Sequence, residues 1–335
     1  MFVRKSPAAI AFVVFVLSLT VSAAVKEEHA KREEISASGP AVLWQDPVDI
    51  ESRDLFYGPG GKGHVPHGTV TFVKEDLDGT NPKFVVRDQD GQKWKVKLGL
   101  EARPETAASR IVWAVGYCTN EDYFVRELQV LGMPARLHRG ENLIGPNGFV
   151  RNVRLKREDY KKIGTWQWRH DDFTGTRELN GLRVMMALIN NWDLKDENNA
   201  VYQVDGKRNY LVSDLGASFG APGRAWPQEK SKDNLEAYEQ SKFIRATTDS
   251  TVNFAVPARP RYVYCVNPKE YMSRVHLEWI GHNVPRGDVL WMGKILARLS
   301  PDQIRDAFRA AGYSPQETDE FAGAMERRIA VLTDL

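Results

Sequence analysis

Within Asn191-Trp-Asp-Leu-Lys-Asp-Glu-Asn-Asn199 the chain gathers acids and amides, with Asp193 and Asn198 five positions apart. Twenty-one positions after Asp193, an apolar run ends in Asp214-Leu-Gly216. Carboxylate and amide side chains supply the oxygen donors that hard divalent cations take, and a carboxylate can also receive a proton. Either segment alone reads equally as an Asx-rich turn whose side chains cap their own backbone. Their order says more. Gly175 to Asn191 predicts a helix, with Leu182, Met185, Met186 and Ile189 at i, i+3, i+4 and i+7. After the first acidic loop come two short strands, Ala200–Val204 and Asn209–Val212, joined by Asp205-Gly206. A hairpin between the loops brings both to the same end of adjacent strands.

Upstream, the elements that would face this pair are mostly strands. Gly68–Lys74 is β-branched and alternating, Lys83–Asp88 follows, and Asp88-Gln-Asp-Gly91 turns the chain into Gln92–Lys97. Pro104 opens a helix with an apolar stripe of Ala107, Ala108, Ile111, Val112 and Val115, ended by Gly116. Ala135–Leu137 and Phe149–Leu155 read as two further strands. The tail is helical, and Ser300-Pro-Asp-Gln303 and Ser314-Pro-Gln-Glu317 are both capping boxes with Pro at the first helical position. The expected fold class is therefore α+β in two lobes. Residues 1–23 form a leader, 24–53 an N-terminal extension, 54–157 a strand-rich lobe, and 158–335 a helix-rich lobe with a helical tail.

The loop, hairpin and second loop resemble the catalytic and metal loops of protein kinases, where Asp-x-x-x-x-Asn precedes a hairpin and Asp-Phe-Gly. The match is to a kinase-like fold of atypical type, similar to the HipA-type, CotH-type, secretory-pathway and phosphoinositide kinase families. No Ala-Pro-Glu follows Asp214, and Trp192 replaces the arginine usual before the catalytic aspartate. The resemblance implies ATP with Mg²⁺ or Mn²⁺. It makes Asp214 and Asn198 the metal ligands, Asp193 the residue that orients the attacking hydroxyl and takes its proton, and Lys195 a neighbour of the transferred group. It also asks the first lobe for a phosphate-binding lysine with a glutamate partner. Lys95 and Lys97 share one strand face, and Lys97 is favoured because it lies nearer the strand end. Glu105 is its expected partner, with Glu101 in competition. Gly58-Pro-Gly-Gly-Lys-Gly63 satisfies Gly-x-Gly-x-x-Gly, yet Gly63 lies 34 residues before Lys97. The turn Asp76–Pro82 is better placed, and the earlier glycines read as a surface loop.

Composition adds bounds. Net charge is +2, from Lys+Arg 46 against Asp+Glu 44, with no dense basic run, so nucleic acid is not an expected partner. Arg4 and Lys5, an apolar stretch from Ala8 to Leu17 and small residues near Ala23 have the form of a cleaved signal peptide. Export is therefore expected, with no lasting membrane span. Cys118 and Cys265 either pair or remain buried thiols. His64 and His67 read as surface residues, Trp166 and Trp168 as a packed aromatic corner, and Asn180 and Arg183 as a solvated helix face. The expected activity is phosphoryl transfer to a hydroxyl of a protein, glycan or lipid. The alternatives are nucleotidyl transfer and a non-catalytic kinase-fold binding module.

Overall fold

The computed structural model of the chain describes residues 39–169, 171–221, 232–257, 264–265 and 267–335. The expected leader lies outside the described residues. Alternation in Lys93–Lys97 (β4) shows how the first part is built. Trp94 and Val96 point into a barrel interior, while Lys93, Lys95 and Lys97 occupy the other face of the strand. The barrel is closed by Val70–Asp76 (β2), Lys83–Arg87 (β3), β4, Phe149–Arg157 (β6) and Asp122–Leu131 (β5), in that order around the ring. Parallel pairing of Val70 with Val130 joins the ends, so none of these strands is left with a free edge there. Phe84, Val86, Leu128, Val150, Val153 and Leu155 fill the inside. The β3–β4 hairpin forms at the expected turn, where Asp88 Oδ1 accepts N–H bonds from Asp90 (3.1 Å) and Gln92 (2.8 Å).

One strand lies elsewhere than expected. Ala135–Leu137 is irregular, and the missing barrel strand is β5, which precedes it and pairs with β6. The reason is a change of phase. Tyr123 is buried near its start and Leu128 and Val130 near its end, so inward positions switch from odd to even. Across from the switch, Asn152 of β6 adopts φ +52, which breaks the alternation in that strand too. A period of two read along either segment loses its count there.

The helix after β4, Ala102–Ala114 (α1), starts two residues before Pro104 and lies against β5 and β6. Its apolar stripe joins the larger of two cores, which is built mainly by the helical half. There Lys161–Gly164 (β7), Asn199–Val204 (β8) and Lys207–Val212 (β9) form a sheet with Ala41–Val42 (β1), β1 and β9 being parallel. Arg177–Leu188 (α2) precedes the first acidic loop. Thr176 caps it, accepting the Leu179 N–H at 3.2 Å, and it ends where Asn190 turns to φ +55. Leu235–Gln240 (α3), the sheet of Ile244–Thr247 (β10), Thr251–Phe254 (β11) and Val284–Pro285 (β12), and Pro268–Leu277 (α4) follow. Arg286–Leu296 (α5), Pro301–Ala310 (α6) and Pro315–Thr333 (α7) complete the tail, and both expected capping boxes are made. The architecture is the α+β arrangement that the order of motifs predicts, a strand-rich part followed by a helix-rich one.

Asn180 and Arg183 are a second correction, since both are buried. Arg183 donates to the carbonyls of Ile280 (2.8 Å), Trp279 (3.1 Å) and His282 (2.6 Å) and to Asn180 Oδ1 (2.6 Å). Helix α2 is enclosed on all sides, so its polar face serves backbone carbonyls in place of water.

Arg103 of α1 ties the barrel side to the tail. It stacks over Tyr313, reaches Glu317 at 2.7 Å and lies 3.7 Å from Asp233. Asp233 also accepts the Tyr313 hydroxyl at 2.6 Å. Burial nevertheless pushes its carboxyl up to about 6, against the pull of Arg103 and Tyr313. A carboxyl raised on folding holds its proton in the native state. Its contribution is thus complete below its ordinary value near 3.8 and lost as pH rises through about 6. Melting temperature should fall across that window in the native chain, and Asp233→Asn should flatten that part of the profile. An unchanged profile in the variant would dismiss this group as the source.

Candidate active site

Three cations line up across adjacent strands. Lys83 of β3 faces Lys97 of β4, and Lys97 faces Arg154 of β6. Like charges directly opposite destabilise a sheet unless carboxylates answer them. For two of the three they do. The Lys97 ammonium lies 2.8 Å from Glu105 Oε2, 3.0 Å from Glu101 Oε2 and 3.2 Å from Asp214 Oδ1. Arg154 reaches Glu105 Oε1 at 2.9 Å and Asp122 at 3.5 Å. Lys97 and Glu105 are 4% and 1% exposed, so this network is shielded from solvent.

The expected competition between Glu105 and Glu101 has no single winner, because both carboxylates hold Lys97. Glu101 precedes α1, where it also receives the Asn81 amide at 2.6 Å and the Lys232 ammonium. Lys95 is directed elsewhere, to Asp76 at 2.9 Å and Glu158 at 3.3 Å.

From the helical half, Asn198 and Asp214 are set by their own backbone. The Asn198 carbonyl accepts N–H bonds from Ser213 (2.7 Å) and Asp214 (3.2 Å), which locks the two acidic loops together at the mouth of the β8–β9 hairpin. The Asn198 amide donates to the Asp193 carbonyl at 2.6 Å. Buried Asn191 spans the loops from behind, accepting the Asp193 N–H at 3.0 Å and donating to the Asp214 carbonyl at 3.4 Å. Burial raises the Asp214 carboxyl, but Lys97 and the Gly216 N–H outweigh it and hold the group at about 2. Burial pushes Glu105 up, against Arg154 and Lys97. Lys97 is held well above its usual range: its burial is overcome by the carboxylates of Glu105, Asp214 and Glu101.

These groups line a cavity of about 890 Å³ between the barrel and the helical half. Lys83, Lys97, Glu105, Arg154, Asn198 and Asp214 all contribute to its wall. Asp193 and Lys195 ride on the same loop as Asn198 but are not among the lining residues.

The donors present fit a divalent cation. Acceptor atoms of Glu101, Glu105 and Asp214 lie within 4.8 Å of one another. Lys97 already sits among them, so the free ligand capacity is on the outer side of Asp214, whose side chain is 35% exposed. The neighbouring Asn198 has its amide nitrogen committed to Asp193, which leaves its oxygen for the cavity.

Solved structures similar to this chain are kinases. The Helicobacter pylori proinflammatory kinase CtkA is 13% identical with a TM-score of 0.43, over 80% of this chain and 98% of that one. The Golgi casein kinase with Mn/ADP bound is 11% identical with a TM-score of 0.39, over 87% of this chain and 76% of that one. A second structure of the Golgi casein kinase is 11% identical with a TM-score of 0.36, over 87% and 75%. No family model and no curated protein matches the sequence.

Of the remaining expected features, the 58–63 loop (through Pro59) and Cys118 also line the cavity. Gly58 has φ +71, and a Cβ there would meet the Arg110 guanidinium at 2.2 Å, so that glycine is required by close packing at the barrel's flank. His64 pairs with Glu121 at 2.9 Å and His67 lies 3.4 Å from Asp90, so the two histidines have separate partners. Cys118 and Cys265 are free thiols, half-buried and exposed respectively. Trp166 and Trp168 are packed in the core, Trp166 donating to the Leu211 carbonyl at 2.9 Å.

Proposed function

We propose that the protein is an ATP-dependent phosphotransferase of atypical kinase type, using Mg²⁺ or Mn²⁺ and acting on a hydroxyl of a protein, glycan or lipid. The observation that carries this reading is the meeting of Lys97 and Glu105 from the barrel side with Asp214 from the helical half, on one cavity wall with Asn198. Lys97, oriented by Glu105 and Glu101, donates to phosphate oxygens. Asp214 and Asn198 hold the divalent ion. A bound ion would supply charge neutralisation to the phosphate chain there. Asp193 receives the proton of the acceptor hydroxyl as its oxygen forms the new bond to phosphorus and the bond to the ADP oxygen breaks. Lys195, on the same loop, offsets charge on the group in transit.

The same reading takes residues 1–23 as a cleaved leader, so the protein acts after export. Among the described residues no helix is long and apolar enough to cross a membrane.

Lys97→Met and Lys95→Met separate the two strand lysines. With ATP labelled at the γ or the α phosphorus, Lys97→Met should reduce hydrolysis and autotransfer of the γ label by about a hundredfold or more. Lys95→Met should stay within roughly tenfold of the native chain, because Lys95 is committed to Asp76 and Glu158 rather than to Asp214. Transfer of the α label in place of the γ label would replace phosphoryl by nucleotidyl transfer. Nucleotide binding without turnover would leave a binding module.

A further inference from the structure

Of the three cations in the strand rank, Lys83 alone lacks a carboxylate within ion-pairing distance among the described residues. It nevertheless lines the same cavity as Lys97 and Asp214 and is half-buried there. Burial pushes its ammonium down, and Lys95 and Lys97 add to that, while Asp76 and Asp214 pull the other way. An uncommitted ammonium directly across the sheet from another is a costly arrangement for a wall with no ligand.

The turn over this lysine is held in place. Gly79 has φ +62, and a Cβ there would lie 3.7 Å from the Lys83 nitrogen, so the turn backbone and the lysine tip are close neighbours. Arg139 braces the turn from outside, donating to the carbonyls of Gly79 and Asp76. Asp78 and Gly79 line the cavity beside Lys83.

Charge balance decides what Lys83 is for. In the ion-pair network around Lys97 and Arg154, four carboxylates (Glu101, Glu105, Asp122, Asp214) face three cations (Lys97, Arg154, Lys232). No positive charge is left over there for a polyphosphate chain. A divalent ion at Asp214 and Asn198 would answer part of such a chain, and Lys83, the member of the rank beside Lys97 with no carboxylate partner among the described residues, would answer another part.

We propose that Lys83 is a second phosphate-binding lysine, which grips the donor's phosphate chain beside Lys97 and makes the cavity prefer polyphosphate esters to monophosphates. This rests on the nucleotide reading of the cavity and adds the residue that sets preference along the phosphate chain. Asp76–Pro82 then acts as the cover over that chain, the place in which the sequence suggested it.

The test is calorimetric titration of the full chain and of Lys83→Gln and Lys83→Arg, with ATP, AMP and inorganic tripolyphosphate, each with Mn²⁺. Lys83→Gln should weaken ATP and tripolyphosphate by about ten- to a hundredfold, the worth of one charge-assisted contact, and leave AMP within about twofold. Lys83→Arg should recover most of the loss. Without ligand, Lys83→Gln should melt no lower than the native chain, since no ion pair is removed. Native-like ATP and tripolyphosphate binding by Lys83→Gln would overturn the role of Lys83 and leave the nucleotide cavity standing. An equal loss of AMP would overturn it too, by showing damage to the whole cavity. Tripolyphosphate bound as tightly as ATP, and lost in Lys83→Gln, would keep the lysine's role and remove the nucleotide. No binding of any probe by the native chain would overturn both.

Discussion

Asp214→Ala should abolish the stabilisation that ATP with Mn²⁺ or Mg²⁺ gives the native protein. Ligand at a hundredfold excess over its Kd adds about 2.7 kcal/mol to a folded state that alone binds it. For a chain of this size that corresponds to a rise of roughly 4 °C in melting temperature. The variant should show none of it, because the outer side of Asp214 is the exposed carboxylate of the cluster. The unliganded variant should melt only a little below the native chain, since a carboxyl held at about 2 favours the folded state. Lys97 keeps Glu105 and Glu101, and Asp214 pushes the pKa of both those carboxyls upward, so its removal also relieves repulsion. A nucleotide-dependent shift that survives in Asp214→Ala would refute the metal role. A large drop without ligand would recast Asp214 as a structural anchor.

Glu105→Ala should have the largest effect on stability. Its carboxylate stands between Lys97 and Arg154, at 2.8 and 2.9 Å, where water cannot replace it. Removing one partner of a buried ionic network leaves the others uncompensated, at about 3–5 kcal/mol. In melting temperature this is roughly 4–7 °C. Replacing Glu105 and Arg154 together by Met should cost less than the sum of the single changes, since the double change takes both charges out of the interior. Strict additivity, measured by thermal or urea unfolding of all four proteins, would show that the two side chains do not act as a pair.

How much of this was legible in the sequence follows from the range over which each part is built. Asp193, Asn198 and Asp214 belong to one contiguous helix–loop–hairpin–loop, so their spacing carried the signal. Lys97 and Glu105 are close in sequence, with the strand face and the first turn of the helix giving their positions. Arg154 was missed. Its place opposite Lys97 depends on the register of β6, and that register could not be drawn while β5 was hidden by its change of phase. Lys83 escaped notice although the β3–β4 hairpin was expected, since it is the register across that hairpin that makes it a neighbour of Lys97. Asn180 and Arg183 were misjudged because the pattern of α2 marks one apolar side, while its polar side is enclosed by the segment 279–282, about a hundred residues away. Asn191 gave no signal beyond its presence in an amide-rich loop.

The pairing of Ala41–Val42 with Arg208–Asn209 carries a consequence in time. Leu43 and Ile50 are fully packed in the helical half's core, and Gln303 donates to the Ile50 carbonyl at 2.8 Å. A chain made from its N-terminus exposes this short segment long before β9 and α6 exist, and contacts of such sequence separation form slowly. The segment closes the structure last although it is made first. Folding to completion therefore waits until the tail has emerged, and truncation anywhere before α6 leaves the first-made segment without its partners.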